Sequence, residues 1–179
     1  MANVFLRPLE LADLERTFRW HNDPELYRTL VSPFRHVSRS AEDGWIRKKM
    51  EFSNAEMQFA ICLDEGPRHI GNIHMRGIDW VSRTAETGIF IGEKDLQGKG
   101  YGQQAMRLLL KHAFNDLALL RVWLTVFDDN LGAIRSYEKV GFVREGLLRK
   151  HAYKLGEFKN LVYMGINVDD PGAAWVKQG

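Results

Sequence analysis

Ile89-Phe90-Ile91-Gly92-Glu93-Lys94-Asp95-Leu96-Gln97-Gly98-Lys99-Gly100-Tyr101-Gly102-Gln103-Gln104-Ala105-Met106 reads as the end of a strand, a turn, a glycine-rich loop and the first turn of a helix. Gly98, Gly100 and Gly102 alternate with Lys99 and Tyr101, so the backbone can approach a ligand with no Cβ in the way and turn its N–H groups toward one point. The helix that follows adds the positive end of its dipole there. The loop therefore reads as an anion site, suited to a phosphate or pyrophosphate.

Two phosphate loops fail against these residues. A Walker loop needs Ser or Thr after Gly-Lys to hold magnesium, but Gly100 follows Lys99. A dinucleotide fingerprint needs G-x-G-x-x-G and an acidic residue about twenty positions on, whereas the glycines here run G-x-G-x-G and Leu117 to Leu120 are apolar. Gln97-Gly98-Lys99-Gly100-Tyr101-Gly102 resembles instead the Q/R-x-x-G-x-G/A loop of the GNAT superfamily of N-acetyltransferases, which cradles the pyrophosphate of acetyl-CoA. On six residues alone, a turn that merely joins strand to helix is the alternative.

A second stretch decides between them. Asn130-Leu131-Gly132-Ala133-Ile134-Arg135-Ser136-Tyr137-Glu138-Lys139-Val140-Gly141-Phe142 resembles the superfamily's N-x-x-A-x-x-x-Y-x-x-x-G-F signature. Seven residues at about 100° each bring Asn130 and Tyr137 within about 20° of one another on a helix, with Ile134 between them. One face then presents an amide and a phenol in line. Taken singly, Asn130 reads as a helix cap and Tyr137 as a core residue.

Outward from these motifs the chain alternates in an orderly way. Val4 to Arg7 reads as a short strand, Asp13 as the cap of a helix carrying Leu14 and Phe18, and Ser40 to Phe52 as a second helix with Asp43 as capping-box partner. Tyr27 to Ser38, with Pro33, Tyr27 and Phe34, reads as a loop that is either a substrate wall or a packed connection. Met57 to Leu63, the turn Asp64-Glu65-Gly66-Pro67 and Ile70 to Ile78 read as a hairpin, and Thr84 to Gly92 as a further antiparallel strand. A helix over Tyr101 to Asn115 leads to the strand Arg121 to Phe127, and a right-handed crossover sets that strand parallel to Thr84–Gly92. A helix over Leu131 to Val140 ends at Gly141. Phe142 to Leu148 and Leu161 to Val168 read as the last strands, joined by the polar Arg149 to Lys159, and the tail after Asp169 is expected to fray.

With this pattern the similarity runs from Val4 to Asn167, and within the superfamily it is nearest the branch named for the ribosomal-protein N-terminal acetyltransferases (RimJ/RimL-like). Gln97 departs from that branch, which commonly has Trp there. The resemblance implies an α+β fold, with a mixed, mostly antiparallel sheet, a central parallel strand pair splayed around the cofactor, and helices on both faces. It implies one acetyltransferase domain over residues 1–179, acetyl-CoA as co-substrate, and a primary amine as acceptor: polyamine, amino sugar, antibiotic or peptide N-terminus. Phe90, Ile91 and Gly92 would expose backbone groups to the pantetheine and the thioester, Gln97, Gly98, Lys99, Gly100, Tyr101 and Gly102 would hold the pyrophosphate, and Asn130 the pantetheine. Tyr137 would stand near the sulfur. Relatives are often dimers, so a homodimer is one option and the oligomeric state stays open at this point.

Acetyl transfer to an amine needs a neutral amine, a polarised carbonyl and a proton for the departing thiolate. Backbone N–H groups near Ile91 suit the carbonyl, and a phenol such as Tyr137, with an ordinary pKa of about 10, suits the sulfur. For the base, Glu86 is the carboxylate on the strand leading to the cofactor, sharing a face with Gly88, Phe90 and Gly92 if alternation is regular. A plain surface glutamate and a water chain are the alternatives.

Composition bounds the rest. A chain of 179 residues with 45% hydrophobic and 27% charged residues suits one globular domain, and a formal net charge of +2 is small for a nucleic-acid binder. Cys62 alone excludes an internal disulfide and, within Phe59 to Leu63, reads as a buried thiol. The six histidines include no pair three or four apart, so no metal is expected. The start shows no leader pattern and no run approaches about eighteen apolar residues, which makes cytoplasm the expected compartment and no membrane the expected partner. Two other classes remain: a non-catalytic acyl-CoA sensor, which would not need Tyr137, and a nucleotide-binding regulatory module.

Overall fold

Period-two alternation builds the centre of the molecule. A computed structural model describes residues 2–66 and 68–177; Met1, Gln178, Gly179 and Pro67 of the expected Asp64 to Pro67 turn lie outside it. Strands β1 (Val4–Pro8), β2 (Glu56–Leu63), β3 (His69–Asp79), β4 (Thr84–Ile91), β5 (Arg121–Phe127), β6 (Val143–Lys154) and β7 (Glu157–Asn167) form one sheet in the order β1-β2-β3-β4-β5-β7-β6. Among the described residues only β4 and β5 run parallel; every other neighbouring pair is antiparallel. Successive side chains on β2 point to opposite faces. Ile61 joins the main core with Leu109, Leu110 and Ile134, while Ala60 and Cys62 pack with Ile46 on the other side. Those partners come from α4 (Tyr101–Lys111) and α5 (Leu131–Val140) on one face and from α3 (Arg39–Met50), beside α1 (Leu14–His21) and the one-turn α2 (Pro24–Tyr27) that follows it, on the other. Cys62 is fully buried, and burial pushes its thiol up.

Several boundaries differ from expectation for physical reasons. The cap of α3 is Ser38, whose Oγ accepts from the Ala41 N–H at 3.1 Å, rather than Ser40, and Asp43 pairs with Arg47 at 2.8 Å instead of closing a capping box. The helix after the glycine loop ends at Lys111 and passes into a π turn over His112–Asp116. Arg149 to Lys159 is not a loop. β6 and β7 continue through it as one long hairpin, with Ala152, Tyr153 and Lys154 opposite Lys159, Phe158 and Glu157 and the turn at Leu155 and Gly156, both at positive φ. Most of that hairpin end is exposed, so no buried face imposes alternation on its sequence. The tail holds structure as far as Lys177: a 3₁₀ segment over Pro171–Lys177 buries Ala173 and Val176, and the Trp175 indole N–H donates to the Val140 carbonyl at 2.9 Å.

Asp13 has a larger task than capping. Its side chain makes no bond to the first turn of α1; it takes two hydrogen bonds of 2.7 Å from the Arg7 guanidinium and one of 2.9 Å from the Glu10 N–H, and lies 3.0 Å from His69 Nδ1. β1, α1 and β3 are thereby tied at one buried carboxylate. Burial alone would push the Asp13 carboxyl up, but the hydrogen bonds from Arg7 and Glu10 and the close approach of His69 outweigh it and hold the group well below the usual carboxylate range. A depressed folded pKa gives stabilisation that is fully present above the unfolded value of about 4 and is lost as pH falls toward the folded one. Asp13→Asn is therefore expected to cost roughly 2–4 kcal/mol in urea unfolding at neutral pH, toward the lower end because Arg7 is partly exposed. The gap to wild type should narrow below about pH 4. A gap that is unchanged at about pH 3 would show that the charge is not what stabilises.

Candidate active site

The parallel pair β4–β5 is short. Thr84, Ala85 and Glu86 pair with Arg121, Val122 and Trp123, and there pairing stops, although β4 continues to Ile91 and β5 to Phe127. Each strand is held by its outer neighbour, β4 by β3 and β5 by β7, so the two diverge. Between them opens a cleft of about 840 Å³ lined by Gly88, Phe90 and Ile91 on one side and Leu124, Thr125 and Val126 on the other. The inner backbone edges of both strands face this space.

At one end of the cleft stands the glycine loop. Gly98 and Gly100 have φ of 73° and 84°, and a Cβ built on either meets nothing within 4 Å, so both face open space. An L side chain here would strain the backbone as well as fill the cradle. Gly100 caps α4, whose first N–H groups point toward the loop. Gln97, Gly98, Gly100, Tyr101 and Gly102 line the cleft; Lys99 is exposed on the loop outside the lining. The Gln97 amide donates to the Ile91 carbonyl at 2.8 Å and so ties the loop to the end of β4. Gly92 corrects an expectation. Its N–H donates to the Ile70 carbonyl at 2.8 Å, and a Cβ there would lie 2.3 Å from the Trp20 ring, so Gly92 is a packing position rather than part of the lining.

α5 supplies the opposite wall. Asn130 caps it by accepting from the Ala133 N–H at 3.1 Å and also lines the cleft, as do Ala133, Ser136 and Tyr137, while Ile134 turns into the core. The Tyr137 ring packs against Phe142 with centroids 5.9 Å apart, and burial pushes its phenol up to about 12. It stays protonated at any physiological pH.

The other end is polar, and the sequence reading missed most of it. Cross-strand register sets Glu56, Arg76 and Glu86 in one row on β2, β3 and β4, and Gln58, His74 and Gly88 in the next. Arg76 pairs with Glu86 at 2.5 Å, and Lys49 of α3 with Glu56 at 2.6 Å. The His74 ring lies over the bare backbone of Gly88, and burial, reinforced by Arg76, lowers its pKa to about 4. His21, bonded to the buried Glu42 at 2.7 Å, and Trp45 stand above, with Tyr27 to Ser32 as a wall and Tyr27 stacked edge-on to Phe34. The signal was available: Asn72, His74 and Arg76 are polar at period two on a strand paired with Glu86. Lys154 of β6 supports that wall from behind: its ammonium donates to the Ser32 carbonyl at 2.7 Å and lies over the Tyr27 ring, 5.9 Å from its centroid.

Comparison with known proteins fits this geometry. A family model described as an acetyltransferase (GNAT) domain matches residues 3–143. The chain is 29% identical over 165 residues to spermidine N(1)-acetyltransferase of Escherichia coli K12, covering 92% of this chain and 86% of that protein. It is 27% identical over 164 residues to the L-amino acid N-acetyltransferase AaaT of the same organism, covering 92% and 98%. The crystal structure of spermidine N-acetyltransferase from Vibrio cholerae in complex with CoA and spermine superposes with a TM-score of 0.85 at 27% identity, covering 92% of this chain and 95% of that one.

The environment of His74 yields a direct expectation. Its ring should titrate near pH 4 in an NMR titration, and because the unfolded chain binds that proton first, near 6.5, the group lowers stability as pH falls between those values. A midpoint above 6 would show that the ring is not shielded as described.

Proposed function

This chain belongs to the acetyltransferase (GNAT) domain family, and from that premise we propose how its cleft carries out the reaction. It is an acetyl-CoA-dependent N-acetyltransferase with the mixed, mostly antiparallel sheet of that fold. The non-catalytic sensor and the nucleotide module are set aside, since the relatives are transferases. The observation that carries the assignment of roles is the fork after Glu86 and Trp123, with an open glycine cradle at one end and a charged floor at the other.

The residues present suit the co-substrate. The space above Gly98 and Gly100 is the room a pyrophosphate needs, Tyr101 and Gly102 begin the helix whose N–H groups face it, and Lys99 adds positive charge at the rim. Gln97 braces the loop rather than touching the ligand. The inner edge of β4 at Phe90 and Ile91 and the side chain of Asn130 bind the pantetheine amides. Bound acetyl-CoA supplies an activated acetyl thioester. Backbone N–H groups of the splayed strand polarise its carbonyl while the neutral amine adds to it; as the C–S bond breaks the Tyr137 Oη–H gives its proton to the departing sulfur, and the proton shed by the acylated nitrogen restores the phenol, directly or through water. Glu86, at the apex of the fork and oriented by Arg76, accepts the proton of the acceptor ammonium, directly or through water.

The spermidine enzymes among the relatives make a polyamine one candidate acceptor, beside amino sugars, antibiotics and peptide N-termini. The reading further takes residues 1–179 as one domain of the RimJ/RimL-like branch working in the cytoplasm without nucleic acid, metal or membrane, with a homodimer as one option for its assembly. Among the described residues no helix is long and apolar enough to cross a membrane.

Two variants test the roles. Gly100→Val puts a branched side chain into the cradle at positive φ, so acetyl-CoA affinity by calorimetry should fall at least about tenfold with the fold retained. Wild-type affinity in the folded variant would refute the cradle. Tyr137→Phe keeps the ring and removes the proton, so turnover should fall by roughly 10² to 10⁴ with cofactor affinity and melting temperature nearly unchanged. Since the phenol titrates only near 12, neither protein should show a basic limb from this group below about pH 10. Turnover within about threefold of wild type would remove Tyr137 from the mechanism.

A further inference from the structure

The acceptor end of the cleft carries balanced charge. Lys49, Glu56, Arg76 and Glu86 all line it, and they alternate in sign: Lys49 with Glu56, then Arg76, then Glu86 across adjacent strands. Their side chains are between 18% and 53% exposed, so the pairs sit at the cleft surface, neither lost in the core nor free in solvent. His74, in the next row, adds no charge at neutral pH. Among these four groups two cations face two anions.

This pattern selects among amines. An ammonium brought to Glu86 at the fork arrives beside the Arg76 guanidinium, 2.5 Å from the same carboxylate, and is repelled by it. A ligand that also carries an anion relieves the repulsion by giving Arg76 a second partner. Guanidinium is suited to this, because its five N–H donors form a planar fork matching a carboxylate, and Glu86 is bonded through Nη2. A linear polycation brings no anion, and each ammonium placed along this row lies within about one strand spacing, roughly 5 Å, of Arg76 or Lys49. From this alternation we infer that the preferred acceptor is a small zwitterion, an amine with a carboxylate one or two carbons away, its ammonium at Glu86 and its carboxylate on Arg76, with Lys49 adding positive charge nearby. The inference rests on the acetyl-transfer reading above and narrows its acceptor from amines in general to amino acids.

Matched acceptors test it. Purified wild-type protein is assayed for CoA release and for the mass of the acetylated product with acetyl-CoA and the twenty amino acids, the methyl ester and amide of the best acceptor, a dipeptide beginning with it, 5-aminopentanoate and spermidine. An amino acid should be the best acceptor, with kcat/KM at least tenfold above its own ester, its amide, the dipeptide, 5-aminopentanoate and spermidine. Arg76→Gln should bring the acid-to-ester ratio below about three while acetyl-CoA affinity by calorimetry is kept, and if that variant does not fold, Lys49→Gln should lower the ratio in the same sense. Spermidine or the ester matching the acid overturns the inference, as does a folded Arg76→Gln that keeps the full ratio. Acetyl-CoA binding with turnover only of carboxylate-free amines overturns the zwitterion and leaves the acetyltransferase reading standing. Failure to bind acetyl-CoA at all removes both.

Discussion

Everything functional in this molecule depends on where one pair of parallel strands stops pairing. β4 and β5 share three register positions, ending at Glu86 and Trp123, although each strand runs on for four or five residues. Divergence is tolerable because each is held on its outer edge. β5 pairs with β7 over its whole length, and β4 pairs with β3 to Ile91. What remains is two inner edges of backbone N–H and C=O groups that need partners. An extended chain bearing amides meets that need, which is why a cleft here suits a pantetheine better than a compact ligand.

The two ends of the cleft use different physics. The glycine loop offers backbone: open space above Gly98 and Gly100 and the N–H groups opening α4. The other end offers side chains, and these are positioned by sheet register. The row Glu56, Arg76, Glu86 exists because three strands are in a particular alignment, and a slip of one residue would turn every member to the opposite face. Stability and site share a support there. The Asp13 carboxylate, bound by Arg7, meets His69, whose Nε2 lies 2.8 Å from Asn72 Oδ1 and 2.9 Å from the Gly71 carbonyl, and Asn72 stands opposite Phe90 on the lip of the cleft. The network that ties β1 and α1 to the sheet also braces the wall of the cleft.

Elements whose cause is local were legible. Arg121–Phe127 and Leu131–Val140 lie where β-branched density and helical period put them, and the parallel setting of β4 and β5 follows from the helix between them. The elements misread are those whose cause is distant. Arg149 to Lys159 is exposed along most of its length, Tyr153, Leu155 and Phe158 included, and folds as a hairpin because its backbone pairs with itself, and the segment to Lys177 is ordered because Trp175, Ala173 and Val176 find Val140 and the core. Asp13 resembles a cap in sequence, yet its charge is claimed by residues six and fifty-six positions away.

The sequence by itself determined the loop, the helix dipole behind it, the Asn130 and Tyr137 face and the order of strands, because glycine spacing, helical period and crossover handedness act within about forty residues of chain. Only the tertiary structure decided which groups meet across the cleft. It placed Gly92 under Trp20, bonded Gln97 to the Ile91 carbonyl, and brought Lys49, Glu56 and Arg76 to Glu86. Such contacts follow from register and packing between strands and helices far apart in the chain, and side-chain charge attracts whatever the fold sets beside it. Pattern along one strand carries the face a residue takes; it does not carry the neighbour it finds there.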